Sequence, residues 1–224
     1  MLTPNKTKIE WCDYTLNPVK GLCPMACDYC YARAMYKRFK WNPEIRFEPI
    51  INLPSKPSRI FVGSTIELFG EWVDSFWLDS IFRSVKDNPQ HIFQFLTKQP
   101  QNLIKFKFPD NCWVGVTATN REMFKSATHY LAEVEADVKY ISLEPLLGQV
   151  LEYNKKPFMG GVSWVILGSQ TKPYKPPKIE WVQEILVACH NADIPVFMKD
   201  NLRPLIDNSI GWGEGWKLRQ EMPC

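Results

Sequence analysis

Short apolar runs alternate with segments of helical spacing along most of the chain. The runs are rich in Val, Ile, Phe and Trp and are apolar on both faces, as is typical of parallel strands that are covered on each side. Because a segment able to form a helix follows each run, the pattern predicts βα units and a mainly parallel sheet. The predicted strands are residues 59–64, 91–97, 113–118, 139–145, 164–170 and 195–200, with a weaker first run near 12–16.

Helix candidates lie between these runs, at residues 29–39, 77–86, 99–106, 121–133 and 179–191. In the last of them apolar residues recur at helical spacing and Pro195 follows its end. Right-handed crossovers curl such units in one sense, so a partial barrel and an open doubly wound sheet are the two solutions. We favour an α/β fold, a single-domain partial (β/α)6-type parallel barrel over residues 1–224, with the cysteine-bearing loop after its first strand.

Polar residues follow the apolar runs at nearly every predicted strand exit. In both architectures ligands gather at the carboxyl ends of the strands. An ordinary loop would show the same polar residues, so each position alone says little. The residues at these exits are Ser64, Glu67, Thr97, Lys98, Thr117, Thr119, Glu144, Ser169, Gln170, Lys199 and Asp200.

Composition places the chain among globular proteins, with 45% hydrophobic and 23% charged residues. No run approaches the roughly 20 apolar residues that a membrane helix needs, so no membrane partner is expected. The amino terminus is polar and lacks the features of a secretory signal, which predicts a cytoplasmic protein. The net charge of +3 is far from the strongly basic balance that would by itself indicate nucleic-acid binding.

Three of the seven cysteines lie together in "GLCPMACDYC", at Cys23, Cys27 and Cys30. In a reducing compartment such clustering favours a metal over disulfides. A structural zinc would need a fourth ligand from a distance, such as Cys12 or Cys112. A 4Fe-4S cubane held by three cysteines would instead leave one iron free to bind a substrate. Three cysteines without any metal are the remaining alternative.

The spacing Cys23-x3-Cys27-x2-Cys30, with Tyr29 directly before the last cysteine, resembles the defining motif of the radical S-adenosylmethionine superfamily. Other segments resemble one branch of it, a small phage-associated family of unknown function. These segments are "TKIEW", "LNPVKG", "CDYCYAR", "FLTKQP", "WVGVT", "SLEPLLG" and "WVILG". The chain departs from that branch where it reads Gly-Ser-Gln at 168–170, because relatives carry a Gly-Gly-Glu-Ser-like turn there.

The resemblance implies a 4Fe-4S cluster held by the three cysteines and S-adenosylmethionine on its open iron. One electron, from a donor such as a flavodoxin or ferredoxin, would then generate a 5'-deoxyadenosyl radical that abstracts hydrogen from an unidentified substrate. The alternatives are a non-catalytic iron-sulfur or zinc module for nucleic-acid binding or electron transfer, and a scaffold that has kept only the fold.

The resemblance also implies residues that bind the cofactor. Tyr29 would lie beside the adenine, with the backbone of Gly168 and Ser169 at its edge. Ser64 would contact the methionyl amino group, assisted by Glu67.

Further expectations concern the ribose, the methionyl end and the substrate. Thr117 and Glu144 end two later strands and are candidates for the ribose hydroxyls or the methionyl group. Lys98 and Lys199 are candidates for the substrate or the methionyl carboxylate.

Several aromatic and basic residues are compatible with a nucleotide or nucleic-acid substrate. Tryptophans in apparent loops could stack on a base, and a basic face follows the cysteines. The tryptophans are Trp41, Trp72, Trp212 and Trp216, and the basic residues are Arg33, Lys37, Arg38 and Lys40. The tail 208–224 is expected to fold over an end of the core or to act as a lid.

Overall fold

The computed structural model of the protein describes residues 2–50, 52–151, 161–207 and 217–223. The chain divides into two compact units, unit 1 (1–114 with 135–137) and unit 2 (115–134 with 138–224). The predicted organisation as a single domain stays a prediction. The tail residues 208–216, with Trp212 and Trp216, lie outside the described part of the chain.

Unit 1 contains the first elements of the fold. These are β1 (Asn5–Lys6), β2 (Tyr14–Leu16), β3 (Val19–Lys20), α1 (Tyr31–Phe39), β4 (Arg46–Phe47), β5 (Arg59–Val62), α2 (Ser75–Lys86), β6 (Ile92–Thr97), a 3-10 helix (Pro100–Lys105) and β7 (Cys112–Thr117), whose last residues belong to unit 2.

Unit 2 contains the later elements. These are α3 (Arg121–Glu133), β8 (Val138–Leu143), β9 (Trp164–Leu167), β10 (Gln170–Thr171), β11 (Tyr174–Lys175), α4 (Ile179–Asn191), β12 (Val196–Met198), a 3-10 helix (Asp200–Leu202) and α5 (Arg203–Asp207).

The main sheet has eight strands in the order β1-β2-β5-β6-β7-β8-β9-β12. The pairs β2–β5, β5–β6, β8–β9 and β9–β12 are parallel, and β1 pairs antiparallel with β2 at one edge. A mostly parallel sheet with helices following its strands confirms the predicted α/β class and agrees with a partial α/β barrel.

In unit 1 the apolar runs form the buried strands that the pattern predicts. Ile60, Val62, Phe93 and Phe95 are completely buried, because strands covered on both faces leave no side chain for solvent. Helix α2 packs through an apolar face of Leu78, Ile81 and Val85. It begins where the Asp74 carboxylate accepts the Phe76 N–H, a cap that stabilises a helix by about 1 kcal/mol.

In unit 2 the strand β12 is covered at one side by the residues near the carboxyl terminus. The Met198 N–H donates to the Arg219 carbonyl, and the Glu221 N–H donates to the Val196 carbonyl. The buried Trp164 donates its indole N–H to the Glu221 carbonyl at 2.9 Å. The described part of the tail, 217–223, is therefore held against the core of unit 2.

Several elements differ from the prediction in kind. Residues 100–105 form a 3-10 helix where an α-helix is predicted over 99–106, and Pro100 stands at its start. The predicted strand 164–170 ends at Leu167, and Gln170–Thr171 instead forms a short hairpin with Tyr174–Lys175. The strand ends early because Gln170 and Thr171 are polar and at least partly exposed, so they add no apolar side chain to the buried sheet.

Candidate functional site

The cysteine loop begins at Gly21, directly after β3. Gly21 has φ +130°, and a Cβ there would lie 2.7 Å from the Glu44 carbonyl oxygen, so only glycine fits. Its N–H donates to the Tyr36 hydroxyl at 2.8 Å. The loop ends at Cys30, whose sulfur caps the first turn of α1. The loop is thus fixed at both ends by α1.

The three thiols of this loop are half-buried and free of disulfides. Two of them accept backbone N–H groups, since Glu67 N lies 3.4 Å from Cys23 Sγ and Arg33 N lies 3.5 Å from Cys30 Sγ. Burial raises the pKa of the Cys23 thiol, and the N–H bonds from Glu67 and Met25 oppose that rise. Such N–H donors stabilise sulfur when it is charged, and they tune iron-sulfur clusters.

The donor chemistry at this loop fits a cluster held by three thiolates. In the described residues no three Cys, His, Asp or Glu side chains already stand in a metal-binding arrangement. Cys12, Cys112 and Cys189 are buried elsewhere, and burial raises the pKa of the last two to about 12. Cys112 is completely buried whereas the loop cysteines are half-buried, and a buried structural cysteine is usually inert, which favours the loop cysteines over a set completed by Cys112.

Tyr29 lies half-buried within the same loop, in hydrogen-bonding contact with Cys27. Burial, followed by the neighbouring Cys27 sulfur, raises the pKa of its phenol far above the usual value. The ring therefore stays neutral, and its role beside the adenine stays a prediction.

The Glu67 carboxylate is buried, and the chain itself already fills its acceptor sites. It accepts the Phe69 N–H at 3.1 Å, the Thr97 hydroxyl at 2.6 Å and the Lys98 N–H at 2.7 Å. These bonds join the end of β6 to the segment after β5. The same segment provides the Glu67 N–H that donates to Cys23 Sγ. The geometry gives Glu67 a positioning role for Cys23, whereas contact with the methionyl amino group stays a prediction.

Asn17 is a site residue that the sequence analysis missed. Its side-chain oxygen accepts the Ser64 hydroxyl, the Thr65 N–H and the Thr65 hydroxyl, each at 3.2 Å. The Ser64 carbonyl in turn accepts the Tyr31 hydroxyl at 2.6 Å. Asn17 directly follows β2, so it is a polar residue at a strand exit like the other candidates. It was missed because the run that forms β2 was the weakest predicted strand.

An open cavity of about 670 Å³ lies beside the cysteine loop in unit 1. Its lining includes Cys27, Cys30, Arg33, Lys37 and Trp41. The cavity therefore joins two of the thiols to the basic side of α1.

Lys98 is half-buried after β6. Within the described part of the chain its ammonium group has no hydrogen-bond or ion-pair partner. It is free to meet an anionic group, and its contact with substrate or cofactor stays a prediction.

In unit 2, Glu144 and Lys199 follow β8 and β12 and form an ion pair, with side chains 24% and 14% exposed. Gly168 permits their approach, because a Cβ there would lie 3.0 Å from Glu144 Cγ and 3.3 Å from Lys199 Cδ. Thr117 is buried at the end of β7. The structure therefore brings together two predicted site residues of unit 2, Glu144 and Lys199, as an ion pair.

The backbone around Gly168 and Ser169 is already hydrogen-bonded within unit 2. The Gly168 N–H donates to the Leu143 carbonyl, and the Ser169 N–H and carbonyl both bond to the Asn201 amide, at 2.9 and 3.0 Å. The Ser169 hydroxyl is buried and has no partner among the described residues. A buried polar atom without a partner needs an explanation, such as an ordered water, and the contact of Ser169 with a cofactor stays a prediction. Asn201 is a second residue that the sequence analysis missed.

The fold and the cysteine loop define an α/β protein of mostly parallel sheet with a candidate metal loop. The chain belongs to a family described as "Protein of unknown function (DUF5131)", which matches residues 6–203. This bears out the expected family of unknown function, whereas its association with phages stays a prediction. No curated protein matches the chain.

Among solved structures the chain is similar to "Spore photoproduct lyase complexed with dinucleoside spore photoproduct". The TM-score is 0.50 and the sequences are 13% identical. The match covers 74% of this chain, and the chain spans 58% of the length of that structure. At this identity the likeness concerns the fold. No helix in the described segments has the length and apolarity to cross a membrane.

Proposed function

We propose that the protein is a radical S-adenosylmethionine enzyme. The observation that carries the proposal is a loop with three free, half-buried thiols, two of which accept backbone N–H groups, in an α/β fold with a mostly parallel sheet. The structural neighbour is an enzyme of that superfamily, which supports the same interpretation through the fold. When bound, a reduced 4Fe-4S cluster supplies the electron that cleaves S-adenosylmethionine to a 5'-deoxyadenosyl radical.

The residues of unit 1 would hold and tune the cluster. Cys23, Cys27 and Cys30 supply the sulfurs, and the N–H groups of Glu67 and Arg33 reduce the charge on two of them. Tyr29 would contact the adenine and Ser64 the methionyl amino group. Lys98, with an ammonium group that is unpaired among the described residues, would bind an anionic substrate or the methionyl carboxylate.

The proposal also assigns roles to residues of unit 2. The hydroxyl of Ser169, beside Gly168, is our candidate for the adenine edge. Thr117 and Glu144 would bind the ribose hydroxyls or the methionyl end. Lys199, which now neutralises Glu144, would exchange that partner for an anionic group of the ligand.

The remaining parts of the proposal concern the electron donor, the substrate and the cellular location of the protein. Radical chemistry needs a one-electron donor such as a flavodoxin or ferredoxin. We propose a nucleotide or nucleic acid as substrate, and the structural neighbour, a complex with a dinucleoside spore photoproduct, supports that class. A cytoplasmic location fits the reducing conditions that free thiols need.

Anaerobic reconstitution with iron and sulfide tests the proposal. Wild-type protein with dithionite should produce 5'-deoxyadenosine from S-adenosylmethionine, and Cys27→Ala should produce none above the protein-free background. Cys189→Ala is the matched control, because this cysteine is buried in α4 outside the loop and alanine suits a helix. Failure of the iron-loaded wild type to form 5'-deoxyadenosine would contradict the proposal.

A further inference from the structure

The end of α1 carries an unusual concentration of exposed aromatic and basic side chains. We call the exposed run Lys37, Arg38, Phe39, Lys40 and Trp41 the α1 surface. Seven large hydrophobic side chains are exposed in the described residues, and three of them, Tyr31, Phe39 and Trp41, lie in or beside α1. Single exposed apolar side chains need no explanation, but a group beside a cavity indicates a binding surface.

The aromatic rings of this surface are held in place before any ligand arrives. The Phe39 and Trp41 rings are stacked, with centroids 5.5 Å apart and planes 23° apart. The buried Tyr36 meets the Trp41 ring edge-on at 5.3 Å. Lys40 adopts a left-handed conformation that ends α1, and the Trp41 N–H donates to the Tyr36 carbonyl at 3.2 Å. Binding to such rings costs little ordering entropy.

The charge of the same surface is positive. Helix α1 has no acidic residue in its first turn and carries Lys37 and Arg38 in its last turn. The Arg38 guanidinium lies 5.2 Å from the centre of the Phe39 ring, whereas Lys37 and Lys40 have no ion-pair partner among the described residues. The adjoining cavity is lined by one acidic residue, Asp28, and by the basic Arg33 and Lys37 of α1.

We propose that the α1 surface binds single-stranded nucleic acid. A base stacks on Trp41, Lys37 and Lys40 contact the phosphates on either side, and the next nucleotide enters the cavity of about 670 Å³ toward Cys27 and Cys30. An acidic protein would use the same charges, but it would give no role to two stacked rings beside a concave cavity. This inference rests on the proposed function in one respect only: it takes the bound nucleic acid to be the substrate of the cysteine site.

Fluorescence anisotropy with a labelled twelve-nucleotide poly-dT or poly-U strand tests the surface, on the purified full-length chain and on reconstituted protein. Trp41→Leu should weaken binding about tenfold, as expected for loss of one base stack. Lys37→Ala/Lys40→Ala should reduce the slope of log affinity against log salt by about 1.4, since each of the two proposed phosphate contacts contributes about 0.7.

Matched controls exist on α2, whose last turn also carries two basic residues. Arg83→Ala/Lys86→Ala and Phe76→Leu remove basic and exposed aromatic side chains from the other helix. They should leave binding within about twofold of wild type, because the exposed Phe76 ring has no stacked partner among the described residues. Equal losses in the two sets, or no binding by wild type at low salt, would overturn the inference. So would a Trp41→Leu effect confined to binding of an acidic flavodoxin.

Failure of this inference can be separated from failure of the proposed function within the wild-type protein. Oligonucleotide binding without 5'-deoxyadenosine formation supports the α1 surface and contradicts the radical enzyme. Formation of 5'-deoxyadenosine without oligonucleotide binding does the reverse.

Discussion

The buried carboxylate of unit 1, Glu67, and the half-buried carboxylate of unit 2, Glu144, lie in different electrostatic settings. Glu67 receives N–H and O–H donors from its own segment and from the end of β6. Glu144 faces the ammonium of Lys199, and the hydroxyl of Ser169 in the same unit is buried without a partner among the described residues. The Glu67 carboxylate of unit 1 is satisfied by the fold, whereas the Ser169 hydroxyl of unit 2 has no partner among the described residues.

This difference teaches which strand-exit residues position the site and which are available to a ligand. A carboxylate that accepts neutral donors is costly to disturb, because each abandoned buried donor costs about 1–3 kcal/mol. A charged pair can exchange partners with an incoming ligand. Changes at Glu67 should therefore appear first in stability, and changes at Glu144 or Ser169 first in binding.

The largest expected loss of stability comes from substitution of Glu67. Glu67→Gln places an NH2 group against donors that now meet an oxygen, and we expect it to destabilise the protein by about 2 kcal/mol. Glu144→Gln retains an acceptor for the partly exposed Lys199 and should cost less than about 1 kcal/mol. Urea unfolding at neutral pH measures both. Similar losses for the two variants would remove the distinction between the units.

Ser169→Ala tests whether a change in unit 2 affects cofactor binding rather than stability. Removal of a buried hydroxyl that has no partner among the described residues should leave the free energy of unfolding unchanged or slightly higher, but should weaken S-adenosylmethionine binding about three- to tenfold. Equilibrium dialysis on the reconstituted protein measures the affinity.

Ser163→Ala is the matched control for that serine. Its hydroxyl accepts the Lys139 N–H and donates to the Lys139 carbonyl, so its loss should lower stability by about 1 kcal/mol without changing cofactor affinity. Unchanged affinity in Ser169→Ala would show that the Ser169 hydroxyl serves no ligand.

The smallest effect concerns surface ion pairs, one in each unit. The Lys20 ammonium lowers the pKa of Glu48, and the Arg219 guanidinium lowers the pKa of Glu221, which also accepts the Val196 N–H. Because the folded pKa is depressed, each pair contributes stability above the usual glutamate pKa and loses it as pH falls through the folded value.

Thermal unfolding from about pH 7 to about pH 3 measures this loss, since glutamate normally titrates near pH 4. Glu221→Gln should flatten the acid dependence more than Glu48→Gln, because the former carboxylate also holds β12. A larger effect of Glu48→Gln would contradict that ranking.

Much of the fold could be predicted because its signals are local. Helices 121–133 and 179–191 have the predicted bounds, since their apolar spacing continues to both ends. The three cysteines could be found because they are close in sequence. Asn201 could not, because an amide in a turn looks the same whether it bonds to solvent or to a serine far along the chain. Asn17 was missed because the strand that it follows was the weakest predicted one. Likewise, nothing local indicates that the Glu67 carboxylate meets Thr97.

The sulfur of Cys30 both begins α1 and closes the proposed ligand set. Exposure to air that oxidises this thiol would remove the helix cap at the same moment as the ligand. Preparations handled aerobically should therefore lose helical content at the start of α1 as well as the capacity to take up iron, so the two kinds of damage will be observed together.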